Sequence, residues 1–155
     1  MRFSTKARYG LRLVVRIAQE CAHARSPNEP IPLWKLAEKE RISKKYVEHI
    51  VSRLERAEIL RGFRGPAGGY CLTRPPSRIK AREVIEAVES ISPNVCTRKL
   101  TDCPLYPYSR SCSVRPLWIG LEKVMRDYLD SVTIESLSQG KMSIGQKGQK
   151  RRTKK

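Results

Sequence analysis

Few backbone conformations are open to the segment ILRGFRGPAGGYCLT, in which two β-prone runs flank five residues that include three glycines and a proline. The runs cover Ile59 to Arg64 and Tyr70 to Thr73. A connection this rich in glycine and proline predicts a β-hairpin whose loop needs positive φ angles. Arg61 and Arg64 flank the tip of this hairpin, where an arginine can reach backbone phosphates or a minor groove.

A pair of helices is predicted directly before the hairpin. Pro32 leads into LWKLAEKE, a short helix, and Ser43 is a good N-cap for a second helix that continues to about Ala57. The second helix has a polar and basic face, and a hairpin that follows such a pair is a wing, so the order indicates a winged helix-turn-helix. The predicted DNA contacts are Lys44, Lys45, Glu48, His49, Ser52, Arg53, Arg61 and Arg64.

Helices are also predicted on both sides of this unit. The apolar stripe from Leu11 to Ala18 repeats at helical spacing and indicates a core-facing helix from Thr5 to about Ala22. After the linker PPSRIK, Val84 to Val88 mark a short amphipathic helix. We therefore expect a mainly α fold with a small β-hairpin wing. A DNA-binding domain is expected over residues 1–78, and a second region that ends in a long helix over residues 79–137.

The long C-terminal helix is predicted from Pro116 to Ser131 and is expected to form a dimer. Its apolar residues alternate in steps of four and three, which is the pattern of a coiled-coil seam. The apolar face is broader than one small winged helix can cover, so a partner chain is favoured over an internal helix packed on the first helix. The predicted dimer seam consists of Trp118, Leu121, Met125 and Tyr128.

The charge of the chain indicates a polyanionic partner. The 32 lysines and arginines exceed the 15 acidic residues and give a formal net charge of +17. Seven of the positive charges lie after residue 140, so residues 1–140 still carry about +10. We therefore expect the folded part to bind double-stranded DNA, and residues 138–155 to form a disordered basic tail. A dimer of such readers predicts a pseudo-palindromic operator.

Other classes of protein are disfavoured. The first residues lack the apolar run of a signal sequence and no stretch has the ~20 apolar residues of a membrane span, so we expect a cytoplasmic protein without a membrane partner. The usual motifs for nucleotide binding, zinc hydrolysis or nucleophilic catalysis do not occur in the sequence, which argues against an enzyme. Five cysteines, an odd number, argue against a disulfide framework in a reducing compartment. Two of them, Cys21 on the apolar stripe and Cys71 in a wing strand, are expected to be small core residues.

The order of motifs resembles a known family. MRFSTKARYGLR, ISKKYVEHIVSRLERAEIL, RGFRGPAGGYCL and a cysteine loop that leads into CSVRPLW follow one another as in the dimeric winged-helix repressors that include the iron-sulfur assembly regulator IscR and the nitric-oxide sensor NsrR. The resemblance covers roughly residues 1–137. It implies a homodimer whose recognition helices enter major grooves, with Glu48 and Arg64 in positions that read bases. Lys45 stands where the assembly regulator has a serine, so a different operator sequence is expected.

Three further cysteines, Cys96, Cys103 and Cys112, lie in a loop over residues 92–113. Their spacing alone allows a disulfide, a metal site, an oxidant sensor or an inert loop. The resemblance implies that they ligate an iron-sulfur cluster, [2Fe-2S] or [4Fe-4S], because thiolates bind the iron. Zinc is disfavoured because the loop lacks paired C-x2-4-C or H-x3-5-H ligands. The alternative is a cluster-free regulator that senses redox state through its thiols, and nearby basic residues favour thiolates: Arg98, Lys99, Arg110 and Arg115.

A fourth cluster ligand is missing from the places that the resemblance implies. The family has a histidine three residues after the last cysteine or an aspartate on the first helix, where this chain has Arg115 and Arg8. The remaining candidates are a residue from the partner subunit, such as Glu20, an acid within the loop, such as Asp102, and an exogenous thiol or water. We expect occupancy of the loop to reposition the recognition helices through the long helix that follows Cys112.

Overall fold

The computed structural model describes residues 3–23, 29–91 and 95–141 of the chain. The α-helices in these ranges are α1 (Thr5–His23), α2 (Leu33–Glu40), α3 (Lys44–Arg56), α4 (Ala81–Val88), α5 (Arg115–Ser131) and α6 (Ile134–Ser138). The strands are β1 (Leu60–Phe63) and β2 (Gly69–Leu72), which form one antiparallel hairpin. The predicted fold class, mainly α with a small β-hairpin wing, is confirmed.

The hydrophobic core forms where α1, α3 and α4 pack against one another. α1 contributes Leu13 and Ile17, α3 contributes Ile50 and α4 contributes Val84, and each of these side chains is fully buried. Burial of one side chain of this size stabilises the fold by roughly 1.5–3 kcal/mol. The core continues across the boundary expected between residues 78 and 79, so α4 packs with the winged helix-turn-helix.

A short helix that the sequence analysis did not predict, α6, returns the chain to α1. It is capped by the Thr133 hydroxyl, and Ile134 at its start is fully buried. The Ile134 amide donates to the Ile79 carbonyl (2.9 Å), and the Gln19 side chain donates to the Ser138 carbonyl (3.2 Å). The tail was expected to begin at residue 138, which instead ends this packed helix, and residues 142–155 lie outside the described ranges. We call residues 3–91 and 132–138, as far as they are described, the winged unit.

A buried carboxylate fastens α1 to α2. Glu40 has 2% of its side chain exposed and accepts from the Arg12 (2.5 Å) and Arg16 (3.2 Å) guanidinium groups. A buried carboxylate is tolerated only when it is paired and hydrogen-bonded in this way. Arg12 also lies over the Tyr9 ring, 5.4 Å from its centroid, and Tyr9 meets Tyr46 of α3 edge to face. These contacts hold the helix-turn-helix on α1.

The wing includes a backbone segment from outside its two strands. Ile31, just before α2, forms a bridge with Tyr70, in which the amide of each residue donates to the carbonyl of the other (3.0 and 2.9 Å). A Cβ at Gly69 would lie 2.3 Å from the Ile31 carbonyl oxygen, so only glycine fits there. Gly65 in the connecting loop has a φ of 103°, the positive φ that the sequence predicted.

Candidate nucleic-acid interface and cysteine loop

The recognition helix α3 presents the polar face that the sequence predicted. The Ser43 hydroxyl accepts from the Tyr46 amide (3.3 Å) and caps the helix. The apolar side is buried, and four predicted contacts on the other side are exposed: Lys44, Lys45, Glu48 and His49. A helix face that combines these donors and acceptors can contact phosphates and base edges in a major groove.

The remaining two predicted contacts on α3 are less accessible. Ser52 and Arg53 are both half-buried. The Arg53 guanidinium donates to the Val88 carbonyl (3.1 Å) at the end of α4. Such a carbonyl lacks an intrahelical partner and carries partial negative charge, which favours a cation. Arg53 therefore joins α3 to α4, a role that the sequence analysis missed, and DNA contact by Ser52 and Arg53 stays a prediction.

The wing presents both predicted arginines and an aromatic ring. Arg61 and Arg64 are exposed. Phe63 between them is 41% exposed, and its cross-strand partner is a glycine that has no side chain to cover the ring. The Gly62 amide donates to the Glu55 carboxylate (3.1 Å), which fastens β1 to α3. The sequence analysis missed Phe63, although an aromatic residue between two arginines in RGFRGP was a signal for it.

The cysteine loop contains short 3-10 turns but no α-helix or strand over residues 95–112. Cys96 lies in the turn Val95–Thr97, Cys103 lies in the middle of the loop, and Cys112 follows the turn Tyr108–Ser111 and lies three residues before α5. All three cysteines are half-buried. None of the loop side chains that the structure describes is buried, so core packing does not fix the positions of the thiols.

Basic residues make contacts along this loop. The Arg115 guanidinium donates to the Arg98 carbonyl (2.9 Å), which links the start of α5 to the residues after the first thiol. The Arg110 guanidinium lies 5.9 Å from the centroid of the Tyr106 ring, within cation–π range. Arg115 is therefore bound to the loop backbone at the position where the resemblance implied a ligand.

The described residues do not assemble a metal site. In residues 3–23, 29–91 and 95–141, no three histidine, cysteine, aspartate or glutamate side chains come together as a metal-binding group. Glu20, one candidate for the fourth ligand, accepts from Lys35 (2.8 Å) and Lys39, and these hydrogen bonds lower the pKa of Glu20 to about 2. The thiols are the donor type that an iron-sulfur cluster needs.

The two other cysteines pack as predicted. Cys71 is buried in β2, and Cys21 packs against the core from α1. Burial raises the pKa of both thiols, because it penalises the charged thiolate. Both side chains are therefore kept as neutral thiols, which suits small core residues and not ligands or nucleophiles.

The long helix α5 has an inner and an outer apolar side. Met125 packs against the core of the winged unit, because α5 lies against α4, and Trp118 is half-buried. The predicted seam is thus divided, with Met125 facing inward. The outer stripe, as we call it, consists of Leu117, Leu121, Val124 and Tyr128, all at least 40% exposed. Of the helices that the structure describes, none is both long and apolar enough to cross a bilayer.

Known proteins share this sequence and architecture. The family described as Rrf2, iron-dependent transcriptional regulator, matches residues 3–140. The chain belongs to the Rrf2 family. The regulator CymR of Bacillus subtilis is 33% identical to it over 139 residues, which cover 89% of this chain and 90% of CymR. IscR of Xenorhabdus nematophila is 33% identical over 138 residues, which cover 88% of this chain and 79% of IscR.

Solved Rrf2 structures have the same fold. The structure described as CymR, the global cysteine regulator of B. subtilis, superposes with a TM-score of 0.68 at 32% identity and covers 90% of this chain and 98% of CymR. An oxidised form of Staphylococcus aureus CymR gives a TM-score of 0.64 at 31% identity, with 90% and 97% covered. These Rrf2 relatives are named transcriptional regulators and not enzymes. The predicted resemblance is confirmed, and the chain is a DNA-binding winged-helix regulator.

The Rrf2 relatives leave two chemistries open for the cysteine loop. The family is described as iron-dependent, whereas one relative is described as a cysteine regulator and another has been solved in an oxidised form. This is the same choice, between an iron-sulfur cluster and free thiols, that the sequence posed. The names of the relatives therefore do not decide between a cluster and thiol chemistry for this loop.

Proposed function

We propose that this protein is a homodimeric transcriptional repressor that works in the cytoplasm and binds a pseudo-palindromic operator. The observation that carries the proposal is the exposed polar face of α3, joined through Glu55 to a wing that exposes Arg61, Phe63 and Arg64. A helix for the major groove and a basic hairpin for the adjacent groove are the two parts that a winged reader needs.

Each proposed DNA contact has a chemistry that suits its place. Glu48 can accept from the amino group of cytosine in the major groove. Lys44 and Lys45 at the start of α3 can bind backbone phosphates, which position the helix without reading sequence. Arg64 suits a narrow minor groove, where negative potential is concentrated. Phe63 adds an apolar contact to the walls of that groove.

We propose that the outer stripe of α5 packs against the outer stripe of a second copy. Leu117, Leu121, Val124 and Tyr128 follow one another in steps of four, three and four, which is the spacing of a coiled-coil seam. Adjacent large apolar side chains that stay this exposed mark an interface. A two-fold dimer carries two identical recognition helices, and this symmetry supports a pseudo-palindromic operator.

We also propose that the chemical state of the three loop thiols sets operator affinity. The predicted [2Fe-2S] or [4Fe-4S] cluster is supported by the donor type and by the family description. Cluster-free thiol sensing is the second candidate. It is supported by Arg8 and Arg115 in place of ligands, and by the absence of a converging ligand group in the described ranges.

DNA binding is tested by selecting duplexes from a random library with the full-length protein and by measuring affinity against salt. We expect selected sites with two-fold symmetry and an affinity that falls by roughly 10³ to 10⁵ between 50 and 200 mM salt, if each dimer contacts about 6–10 phosphates. Light scattering should give twice the mass of one chain. A monomer that enriches no sequence would contradict the proposal.

The chemistry of the loop is tested on protein purified without oxygen. Iron, acid-labile sulfide and an absorbance spectrum are compared between the natural protein, a Cys96→Ser/Cys103→Ser/Cys112→Ser variant and a Cys21→Ala control. Iron with sulfide that only the loop variant loses supports the cluster. Protein without iron whose operator affinity changes on thiol oxidation supports thiol sensing. Loss of neither iron nor affinity in the loop variant would refute control by the loop.

A further inference from the structure

A continuous series of polar contacts leads away from the cysteine loop. Thr97, in the same 3-10 turn as Cys96, lines one cleft with Glu122 and Arg126 of α5, and its side-chain hydrogen bond lowers the pKa of Glu122. Glu122 also accepts from the Arg126 guanidinium at 2.9 Å, one helical turn further along α5. A displacement of the turn that carries Cys96 therefore changes the surroundings of the Glu122 carboxylate.

Small shifts of this turn change the free energy of the Glu122 carboxylate, because the carboxylate has few hydrogen-bond partners. Its Oε2 atom is buried and has no hydrogen-bond partner among the described residues. A buried carboxylate oxygen without a partner costs free energy, so the carboxylate depends on the two contacts it has, with Thr97 and Arg126. Loss or rearrangement of the Thr97 contact would leave Arg126 as the remaining partner of Glu122 among the residues that the structure describes.

Arg126 carries the series from α5 to α4. Its guanidinium pairs with Glu122 on its own helix and with Glu86 on α4, so it bridges the two helices. Arg82 of α4 makes a second bridge, because it pairs with Glu86 (3.2 Å) and with Asp130 of α5 (2.7 Å). Each of these side chains has between 16% and 40% of its surface exposed. Linked ion pairs with this much burial stabilise a fold more than isolated exposed pairs do.

The last step joins α4 to the recognition helix. The Val88 carbonyl at the end of α4 accepts from Arg53 of α3, and the Val88 side chain is buried in the core. α4 has only eight residues and packs on both α1 and α3, so a change of its position is passed to α3 without an intervening loop. The path from the loop to the DNA-reading face thus runs through side-chain contacts of one chain.

We propose that Glu122 and Arg126 are positioning residues that couple the cysteine loop to the recognition helix through α4. The inference rests on the proposed control by the loop thiols and adds the route by which it reaches DNA. It extends the route expected from the sequence, in which α5 alone carries the signal. Coupling of this kind requires that the state of the loop favours one arrangement of the Glu122–Arg126–Glu86 contacts over another.

The test compares variants that break the series with a matched control on the same helix. Arg126→Met and Glu122→Gln remove its central ion pairs. Glutamine keeps the length of Glu122, and methionine replaces the apolar stem of Arg126, so that packing by the stem continues. The control is Lys123→Met, which breaks the exposed Lys123–Asp127 pair (2.8 Å) that connects only residues of α5. All proteins are full length and carry Cys21→Ala, so that N-ethylmaleimide adds to loop thiols, as mass spectrometry verifies.

The quantity measured is the ratio of operator affinities with the loop thiols free and with them blocked. We expect a ratio on the order of 5–150 for the parent and for Lys123→Met, which is the usual range for coupled sites. For Arg126→Met and Glu122→Gln we expect a ratio within about threefold of one, with the affinity of the free-thiol form within about threefold of the parent. A loss of fold would lower both affinities and the melting temperature, whereas loss of coupling changes only the ratio.

A reciprocal measurement guards against an indirect effect. By linkage, operator DNA must change the equilibrium of a reversible loop modification by the same coupling, so bound DNA should shift the thiol–disulfide exchange equilibrium of Cys96 with glutathione in the parent and not in Arg126→Met. If the parent itself shows a ratio of one, control by the loop thiols is refuted. If the parent responds and Arg126→Met responds equally, the route through α4 is refuted while the proposed control stands.

Discussion

The winged unit buries its apolar residues within one chain, whereas α5 has no fully buried residue and the described side chains of the cysteine loop are all at least partly exposed. The two regions are neighbours in sequence and have similar apolar content. They differ in how far contacts within one chain bury their apolar side chains. The exposed polar face of α3 therefore rests on a core that one copy completes, while the region that follows keeps an exposed apolar stripe, which we propose a second copy covers.

This contrast explains where regulation can act. A well-packed element opens only at a cost near the global free energy of unfolding, whereas loops with few buried contacts rearrange at much lower cost. The recognition helix is held by a buried apolar face and by an N-cap, so it keeps its shape. The thiols lie where rearrangement is inexpensive, and a second copy of the outer stripe or chemistry at the sulfur atoms can shift that region without unfolding the reader.

The largest effect should come from disrupting the outer stripe of α5, the proposed dimer interface. Leu121→Asp places a charge in the outer stripe, and two such charges face each other in a dimer, so we expect a monomer whose operator affinity falls by at least about 100-fold. The winged unit should keep its melting temperature within about 3 °C. Light scattering, fluorescence anisotropy with labelled operator and thermal melting measure this. The control is Lys123→Asp, which puts the same charge outside the stripe, and a dimeric Leu121→Asp protein would show that the seam lies elsewhere.

The second-largest effect tests whether contacts within one chain stabilise the winged unit. Glu40→Gln weakens the buried pairs with Arg12 and Arg16, and we expect the free energy of unfolding to fall by about 1–3 kcal/mol. Urea denaturation measures it, with Glu38→Gln on the exposed side of α2 as the control. The dimer mass should not change. A loss below about 0.5 kcal/mol would mean that these pairs do not hold α1 to α2.

A smaller effect separates the two kinds of contact on the wing. Phe63→Ala should weaken operator binding by about 1 kcal/mol, roughly fivefold, and leave the slope of log affinity against log salt unchanged, because no phosphate contact is lost. Arg64→Ala should weaken binding and also reduce that slope by about one. Titrations at four salt concentrations distinguish the two. Equal slopes for both variants would contradict the assignment of Arg64 to the DNA backbone or minor groove.

The smallest effect concerns acid stability of the winged unit. Lys35 and Lys39 lower the pKa of Glu20 from 4.5 to about 2, so its carboxylate stabilises the fold above pH 4.5, and this contribution is lost as the pH falls towards 2. Because the lysines are partly exposed, we expect less than about 1 kcal/mol. The difference in free energy of unfolding between the natural protein and Glu20→Gln should shrink over that range. A difference that does not vary with pH would contradict this.

Local features could be predicted because their causes lie within a few residues. Ser43 caps α3 by a bond to an amide three residues away, and Gly65 takes the positive φ that its hairpin loop needs. The apolar stripes of α1 and α3 fix which sides of these helices are buried. The exposed polar face of α3 followed from the same periodicity, so the exposure of Lys44, Lys45 and Glu48 was predicted without a structure.

Features that depend on distant partners could not be predicted in this way. In the sequence, Arg53 cannot be distinguished from the other basic residues of α3. Its hydrogen bond to the Val88 carbonyl joins residues 35 positions apart. Met125 fits a heptad seam, but packing of α5 on α4 turns it inward. Glu40 looks like a solvated helix end and is in fact buried. The sequence shows where the loop cysteines lie along the chain. Whether they ligate an iron-sulfur cluster or act as redox-sensing thiols depends on a cofactor or oxidant from outside the chain.

The bridge between Ile31 and Tyr70 has a consequence for the DNA sites that such a protein can accept. The wing strand β2 is hydrogen-bonded to the segment that starts α2. This bridge fixes the distance between the helix-turn-helix, which is proposed to enter the major groove, and the wing, which is proposed to contact the adjacent groove. Insertion of a single base pair inside a half-site should therefore abolish recognition. In the proposed dimer, an insertion at the centre of symmetry has only to be absorbed by a movement of the two subunits relative to each other.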